Sequence, residues 1–178
     1  SYGDAALRVL LKGEFIPGEL RDAYAGAANH ALQRVRARYT DAGAVQEIRL
    51  HADCHAGNIL WTDDGPHFVD LDDCRTGPAI QDLWMLLSGN RDAMTRQLGR
   101  VIEGYRMFRE FDARELWLIE PLRTLRMIQH SAWLAERWED PAFPIAFPWF
   151  GTQRYWQDQI LALKEQLAAM AEPPLQLD

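Results

Sequence analysis

The sequence contains no run of about 18 apolar residues, the length a membrane-spanning helix needs, so no span is expected. It does not open with a secretory signal pattern either. Cysteine is scarce: Cys54 and Cys74 make no disulfide framework, and a reducing cytoplasm is the simplest setting. Basic charge is in deficit, with a net charge of −7, which argues against a nucleic-acid or anionic-membrane partner because phosphate surfaces select basic proteins. Internal repeats, low-complexity tracts and linkers are also missing. What remains, 178 residues with 48% hydrophobic content, is enough for one domain over residues 1–178 with its own core, read as a monomer. The first residue is Ser1, inside an apolar-periodic segment, so a piece of a longer protein is expected.

The informative stretch runs from His51 to Asp82 and gathers three histidines, Asn58, both cysteines and several acids. Two short apolar runs, Ile59–Trp61 and His67–Leu71, flank Thr62–Pro66, where Asp-Gly-Pro is strong turn chemistry. This predicts a small β-hairpin with an acid-rich loop at each end. Val45–Leu50 is a short strand candidate leading into it.

Most of the rest is helical by its spacing. A short helix ends at Lys12-Gly13, and Glu19–Tyr39 places Leu20, Tyr24, Ala27, Ala31, Val35 and Tyr39 at steps of three and four. Arg34, Arg36 and Arg38 fall in the last turns predicted for that helix, where cations suit the dipole. Helices are expected over Ala79–Ser88, Ala93–Phe111 (with Leu98, Val101, Ile102, Tyr105 and Phe108 on one face) and Ala113–Trp138, broken or kinked at Pro121. Asp140–Gly151 should be a rigid aromatic loop, Gln153–Ala171 a helix, and Glu172–Asp178 an extended tail. The fold class is α+β, mostly α, with the hairpin bearing the chemistry.

Asp53 and Asn58 lie five residues apart, and Asp70 follows at the end of a β-type run. Phosphoryl transfer uses such a set: one carboxylate takes or orients the proton of the attacking hydroxyl. An amide oxygen and a second carboxylate hold Mg²⁺ against nucleotide phosphates, and hard oxygen ligands suit that ion.

His-x-Asp-x₄-Asn followed by Phe-Val-Asp resembles the catalytic and metal loops of kinases of the aminoglycoside phosphotransferase and choline kinase group. LHADCHAGNILW, FVDLDD, GPAIQDLWMLL, the IEPLR run and the PAF-P-x-x-FPW loop are similar, within that group, to a bacterial cytoplasmic Ser/Thr protein kinase. The resemblance runs through nearly the whole chain. It implies the C-terminal lobe of a protein-kinase-like fold, ATP as phosphoryl donor, and a protein Ser/Thr acceptor or a small hydroxyl compound. It also implies Asp53 as the catalytic base, Asn58 and Asp70 as Mg²⁺ ligands, His51 as a loop anchor bonding backbone near Asp70, and Asp82 as a brace for the catalytic-loop backbone. The group usually has Gly where Ala52 stands, a change expected to perturb the loop little. A glycine-rich loop and a strand lysine with its helix glutamate, which grip ATP phosphates from an N-terminal lobe, are missing from this chain. The chain alone is therefore expected to be catalytically silent.

Competing readings exist. Asp53, Asn58 and Asp70 could be ordinary turn caps. His51, Asp53 and His55 alternate, so on a strand they could bind Zn²⁺ in a metal-dependent hydrolase. The chain could also be a pseudokinase-like binding module. An acceptor pocket for a cationic substrate could draw on Asp72, Asp73, Glu136 and Glu139. Cys54 and Cys74 read as small packing residues, His67 as structural, and the aromatics Phe143, Phe147 and Trp149 as packing before peptide docking.

Overall fold

The computed structural model describes residues 2–177. Seven α-helices and four short strands are found among them, interrupted by three 3₁₀ segments, an α+β fold that is mostly α. The chain divides into two compact units, one built from the segment up to Arg38 with Glu120–Glu172, the other from Tyr39–Ile119 with Pro173–Asp178.

The first unit is an all-helical core. It contains α1 (Tyr2–Lys12), most of α2 (Gly18–Ala42), most of α5 (Ile119–Glu136), the short α6 (Ala142–Ala146) and α7 (Gln153–Ala169). The spacing expected along α2 buries Tyr24, Ala27, Ala31 and Val35, and Tyr24 meets Trp156 edge to face at 5.0 Å. Phe15, Trp138, Phe150 and Trp156 continue the aromatic packing, with Phe150 and Trp156 fully buried. Aromatic pairs at these separations add to area burial. The loop expected over 140–151 folds partly into α6. Phe143 and Phe147 pack against the core there, while Trp149 stays 40% exposed.

Two arginines of α2 do something the helix dipole argument does not foresee. Because α2 continues to Ala42, its last turn holds no basic residue. Arg38 instead is buried and donates from Nε to Met170 O (2.7 Å) and from Nη2 to Glu172 O (3.1 Å), closing the C-terminal end of α7. Arg21 donates to Leu11 O and Gly13 O at the end of α1. Helix C-termini leave carbonyls without partners, and a guanidinium can satisfy two at once.

Pro121 does not kink a long helix. Residues Ala113–Leu118 form a 3₁₀ segment, and α5 begins at Ile119, so the proline sits in the first turn. A residue there needs no N–H, since the first amides of a helix have no intrahelical acceptor.

The second unit carries two small antiparallel sheets. Strand β1 (Ile48–Leu50) pairs with β4 (Arg75–Gly77), and β2 (Ile59–Thr62) with β3 (Gly65–Phe68). In the hairpin Thr62 faces Gly65, so the turn narrows to Asp63-Asp64, and Gly65 takes φ +108°. Pro66 lies inside β3, where a two-stranded ribbon has outward positions that need no donor. Helix α3 is only Ile80–Leu83, continued by a 3₁₀ turn Trp84–Leu86 in place of the longer helix expected. Helix α4 (Arg91–Arg106) starts at Asn90, whose side chain accepts from Ala93 N (3.0 Å). It buries Leu98 and Ile102, but stops before Phe108, which is 89% exposed and no part of the apolar face. Among the described residues no helix is long and apolar enough to cross a membrane.

Candidate active site

Leu50 ends β1, and the chain then turns sharply at Ala52, a buried alanine at φ +69°. For an L-residue with a Cβ that region costs about 1–2 kcal/mol, so something must hold it. Three side-chain contacts do so. Asp82 Oδ1 accepts from Ala52 N (2.7 Å), Asp82 Oδ2 accepts from His51 N (2.8 Å), and Gln81 Nε2 donates to Ala52 O (3.2 Å). We expect Ala52→Gly to leave stability within about 1 kcal/mol of wild type, because relieved strain offsets the greater unfolded-chain entropy. Ala52→Val should cost about 2 kcal/mol or more in a urea titration, a β-branched residue being poorly tolerated at positive φ. An unchanged midpoint for Ala52→Val would show that the turn is not held in solution.

His51 ties the loop together. Its Nε2 donates to Val69 O (2.8 Å), since a carbonyl can only accept, and its Nδ1 accepts from Asp53 N at a long 3.4 Å. Asp53 is therefore positioned from behind, at the edge of a loop, with its side chain 17% exposed. Residues Ala56–Asn58 make one 3₁₀ turn capped by His55, whose Nδ1 accepts from Gly57 N (3.0 Å). That turn buries Asn58 and aims its Nδ2 back at Asp53, 3.0 Å from the backbone oxygen and 3.4 Å from Oδ2. His55 Nε2 lies 3.5 Å from Asp53 Oδ2.

Asp70 is reached through its neighbour. Val69 N donates to Asn58 O (3.0 Å) while Val69 O accepts from His51, so both polar backbone groups before Asp70 are fixed to the loop bearing Asp53 and Asn58. Asp70 itself adopts φ +63°, ends the strand run earlier than the His67–Leu71 pattern suggests, and is exposed. Among the described residues its carboxylate has no hydrogen-bond or ion-pair partner, and Asn58 Oδ1 accepts none.

These two oxygens fit a hard cation. Asn58 donates from Nδ2 to Asp53, which leaves Oδ1 as its acceptor oxygen, and Asp70 is an exposed carboxylate, so both offer the hard oxygen donors that Mg²⁺ takes. The hydrolase arrangement does not form. Residues 51–55 are not a strand, and both ring nitrogens of His51 are already hydrogen-bonded. His55 Nδ1 is likewise taken. Among the described residues no group of three His, Cys, Asp or Glu side chains is placed to hold a metal ion.

Of the other residues singled out, Asp72 and Asp73 are exposed, and they belong to the second unit whereas Glu136 and Glu139 belong to the first. His67 Nε2 lies 2.9 Å from Thr62 Oγ1 across the hairpin, a structural contact. Cys54 is buried beside the site, and burial, with the charges of Asp82 and Asp53, pushes its thiol up. Cys74 is exposed and does not pack as expected. A thiol reagent at neutral pH should therefore label one equivalent quickly, at Cys74, and the second only on unfolding. Rapid labelling of both would mean that the loop opens.

Sequence reasoning missed Gln81, the pairing of β4 with β1, and Glu115. Glu115 is buried, and its Oε2 accepts from Ile80 N (2.9 Å) at the start of α3. Burial pushes its carboxyl up while the Ile80 and Ala79 amides pull it back.

Residues 10–117 match the phosphotransferase enzyme family, and the chain belongs to it. Its helical lobe with small antiparallel sheets fits the protein-kinase-like fold of that family. The chain is similar to stress response kinase A of Escherichia coli (strain K12), 51% identical over 162 residues, which covers 91% of this chain and 48% of the relative. It is 58% identical over 130 residues to stress response kinase A of Salmonella paratyphi A, covering 73% of this chain and 39% of the relative. The same identity and length hold for the serine/threonine protein kinase RdoA of Salmonella typhimurium. The chain thus spans about half the length of the curated relatives it matches.

Proposed function

We propose that this chain is the catalytic-loop lobe of an ATP- and Mg²⁺-dependent phosphotransferase acting on Ser/Thr hydroxyls of protein in the cytoplasm. The observation that carries the reading is the division of labour in Asn58: Nδ2 is committed to Asp53, while the Asn58 backbone oxygen takes the amide of Val69, the residue before Asp70, so that one residue ties Asp53 and the Asp70 segment together. Asn58 Oδ1 and the Asp70 carboxylate would hold Mg²⁺, which when bound neutralises charge on the phosphates. Asp53 would accept and orient the proton of the acceptor hydroxyl, its backbone fixed by His51 Nδ1 and Asn58 Nδ2. His51 and Asp82 act on the loop backbone and do not touch substrate.

The parts that grip ATP phosphates would come from a segment N-terminal to this chain, in line with relatives of twice its length. Leu60, Trp61, Phe68 and Leu71 expose more than half of their surface around the hairpin, an apolar patch on which such a segment could pack. A protein acceptor is favoured by the similarity to the serine/threonine protein kinase RdoA of Salmonella typhimurium. One fold hosts both acceptor classes, so the acceptor is the point to test.

The experiment is Mg²⁺-dependent transfer from labelled ATP by the full-length protein, offered a generic protein acceptor and a panel of aminoglycoside, choline-like and sugar hydroxyl compounds. Label in protein is the expected result, with no turnover by residues 1–178 alone. Label only in a small molecule would keep the mechanism and replace the acceptor. No ATP consumption under any condition would overturn the reading.

A further inference from the structure

The chemistry described so far leaves one buried carboxylate unused. Glu115 is 3% exposed, within the 3₁₀ segment Ala113–Leu118. Its Oε2 takes the amide of Ile80, the first residue of α3, from 35 positions away in the chain. The residues that precede α3, Gly77-Pro78-Ala79, carry no side-chain oxygen, and Ala79 makes no side-chain cap bond. Gln81 N and Asp82 N bond the backbone oxygens of Pro78 and Ala79, and Glu115 supplies from outside the acceptor for the Ile80 amide, which no local side chain caps. Burying a carboxylate is costly, and an apolar side chain here would avoid that cost while orphaning the Ile80 amide.

The next two residues of the same helix are Gln81 and Asp82. Asp82 holds the amides of His51 and Ala52, and Gln81 holds the Ala52 carbonyl. Ala52 sits at φ +69°, a conformation that persists only where the surroundings over-determine it. Asp53 follows immediately. Helix α3 has four residues, so a shift at Ile80 has no length over which to be absorbed before it reaches Asp82.

We infer that Glu115 is a positioning residue for the His51–Asn58 loop: by capping α3 it sets where Gln81 and Asp82 stand, and through them the turn at Ala52 that aims Asp53 and Asn58. The catalytic consequence rests on the phosphotransfer reading; the mechanical link does not.

Two variants of the full-length protein separate this role from plain stabilisation. Glu115→Gln keeps an acceptor oxygen at the same reach, and Glu115→Ala removes it. Native-state amide hydrogen exchange is read at His51 and Ala52, with the core amides of Leu134 and Leu163 as reference. In Glu115→Ala the two loop amides should exchange about tenfold faster or more, the effect of losing one charge-assisted hydrogen bond, with the reference amides unmoved. Transfer should fall in parallel, and Glu115→Gln should restore both. Loop amides that exchange as in wild type, or acceleration spread equally over loop and reference amides, would overturn the inference. So would a Gln variant no better than Ala. If wild type shows no transfer, the phosphotransfer reading fails while the exchange pattern still decides the mechanical link.

Discussion

Asp53→Asn should reduce phosphoryl transfer by the full-length protein by about 10²–10⁴-fold, the usual contribution of a positioned general base. The substitution is chosen because it changes chemistry and little else. Asparagine has the shape of aspartate, and its oxygen can still face Asn58 Nδ2, which lies 3.4 Å from Asp53 Oδ2. The backbone contacts at this residue, Asn58 Nδ2 to Asp53 O and Asp53 N to His51 Nδ1, do not involve the carboxylate. Lost are the negative charge and the ability to take a proton. The side chain is partly exposed, so removing its charge should alter stability by less than about 1 kcal/mol, or a few degrees in Tm for a protein of this size. Parallel transfer assays and thermal melts decide the matter. Activity close to wild type would remove Asp53 from the mechanism. Activity lost together with the fold would instead assign it a structural role.

Asp82→Ala should do the opposite and act through stability. Both Asp82 oxygens are engaged by loop amides, at 2.7 and 2.8 Å, and hydrogen bonds to a charged group are each worth about 1.5–3 kcal/mol. Alanine would leave Ala52 N, in a buried residue, and His51 N without acceptors, and would release the left-handed turn. A loss of about 2–4 kcal/mol is expected, visible as a lower denaturation midpoint, with transfer falling as well because Asp53 follows the turn. Asp82→Asn retains one acceptor oxygen and should lie between the two. A normal midpoint for Asp82→Ala would mean that the clamp is not needed to hold the turn. The two variants thus form a pair: Asp53→Asn separates chemistry from fold, and Asp82→Ala joins them.

Much of this was legible before any coordinates. The five-residue step from Asp53 to Asn58, the Asp70 that follows the hairpin's second apolar run and the acidic turn between the two runs are local, and local patterns survive in a linear sequence. The helices announced by apolar steps of three and four, as along Tyr24, Ala27, Ala31 and Val35, bury those residues. Phe108 shows the limit of such patterns. It keeps the period of α4, yet the helix stops at Arg106 and leaves it in solvent. Pro121 shows another: whether a proline kinks a helix or begins one depends on where the preceding turn becomes 3₁₀.

By itself, then, the sequence determined the types of residue available for chemistry, their order, and most of the helices, because these follow from side-chain identity and short-range spacing. The tertiary structure alone decided how they are aimed. Asp82 reaches Ala52 across 30 residues, Glu115 reaches Ile80 across 35, and Arg38 reaches Met170 across 132. No periodicity records such pairs, since each is a single hydrogen bond made only after distant segments have packed. The strained turn at Ala52 is of the same kind: an isolated peptide would relax it, and only the folded surroundings supply the contacts that outweigh its cost.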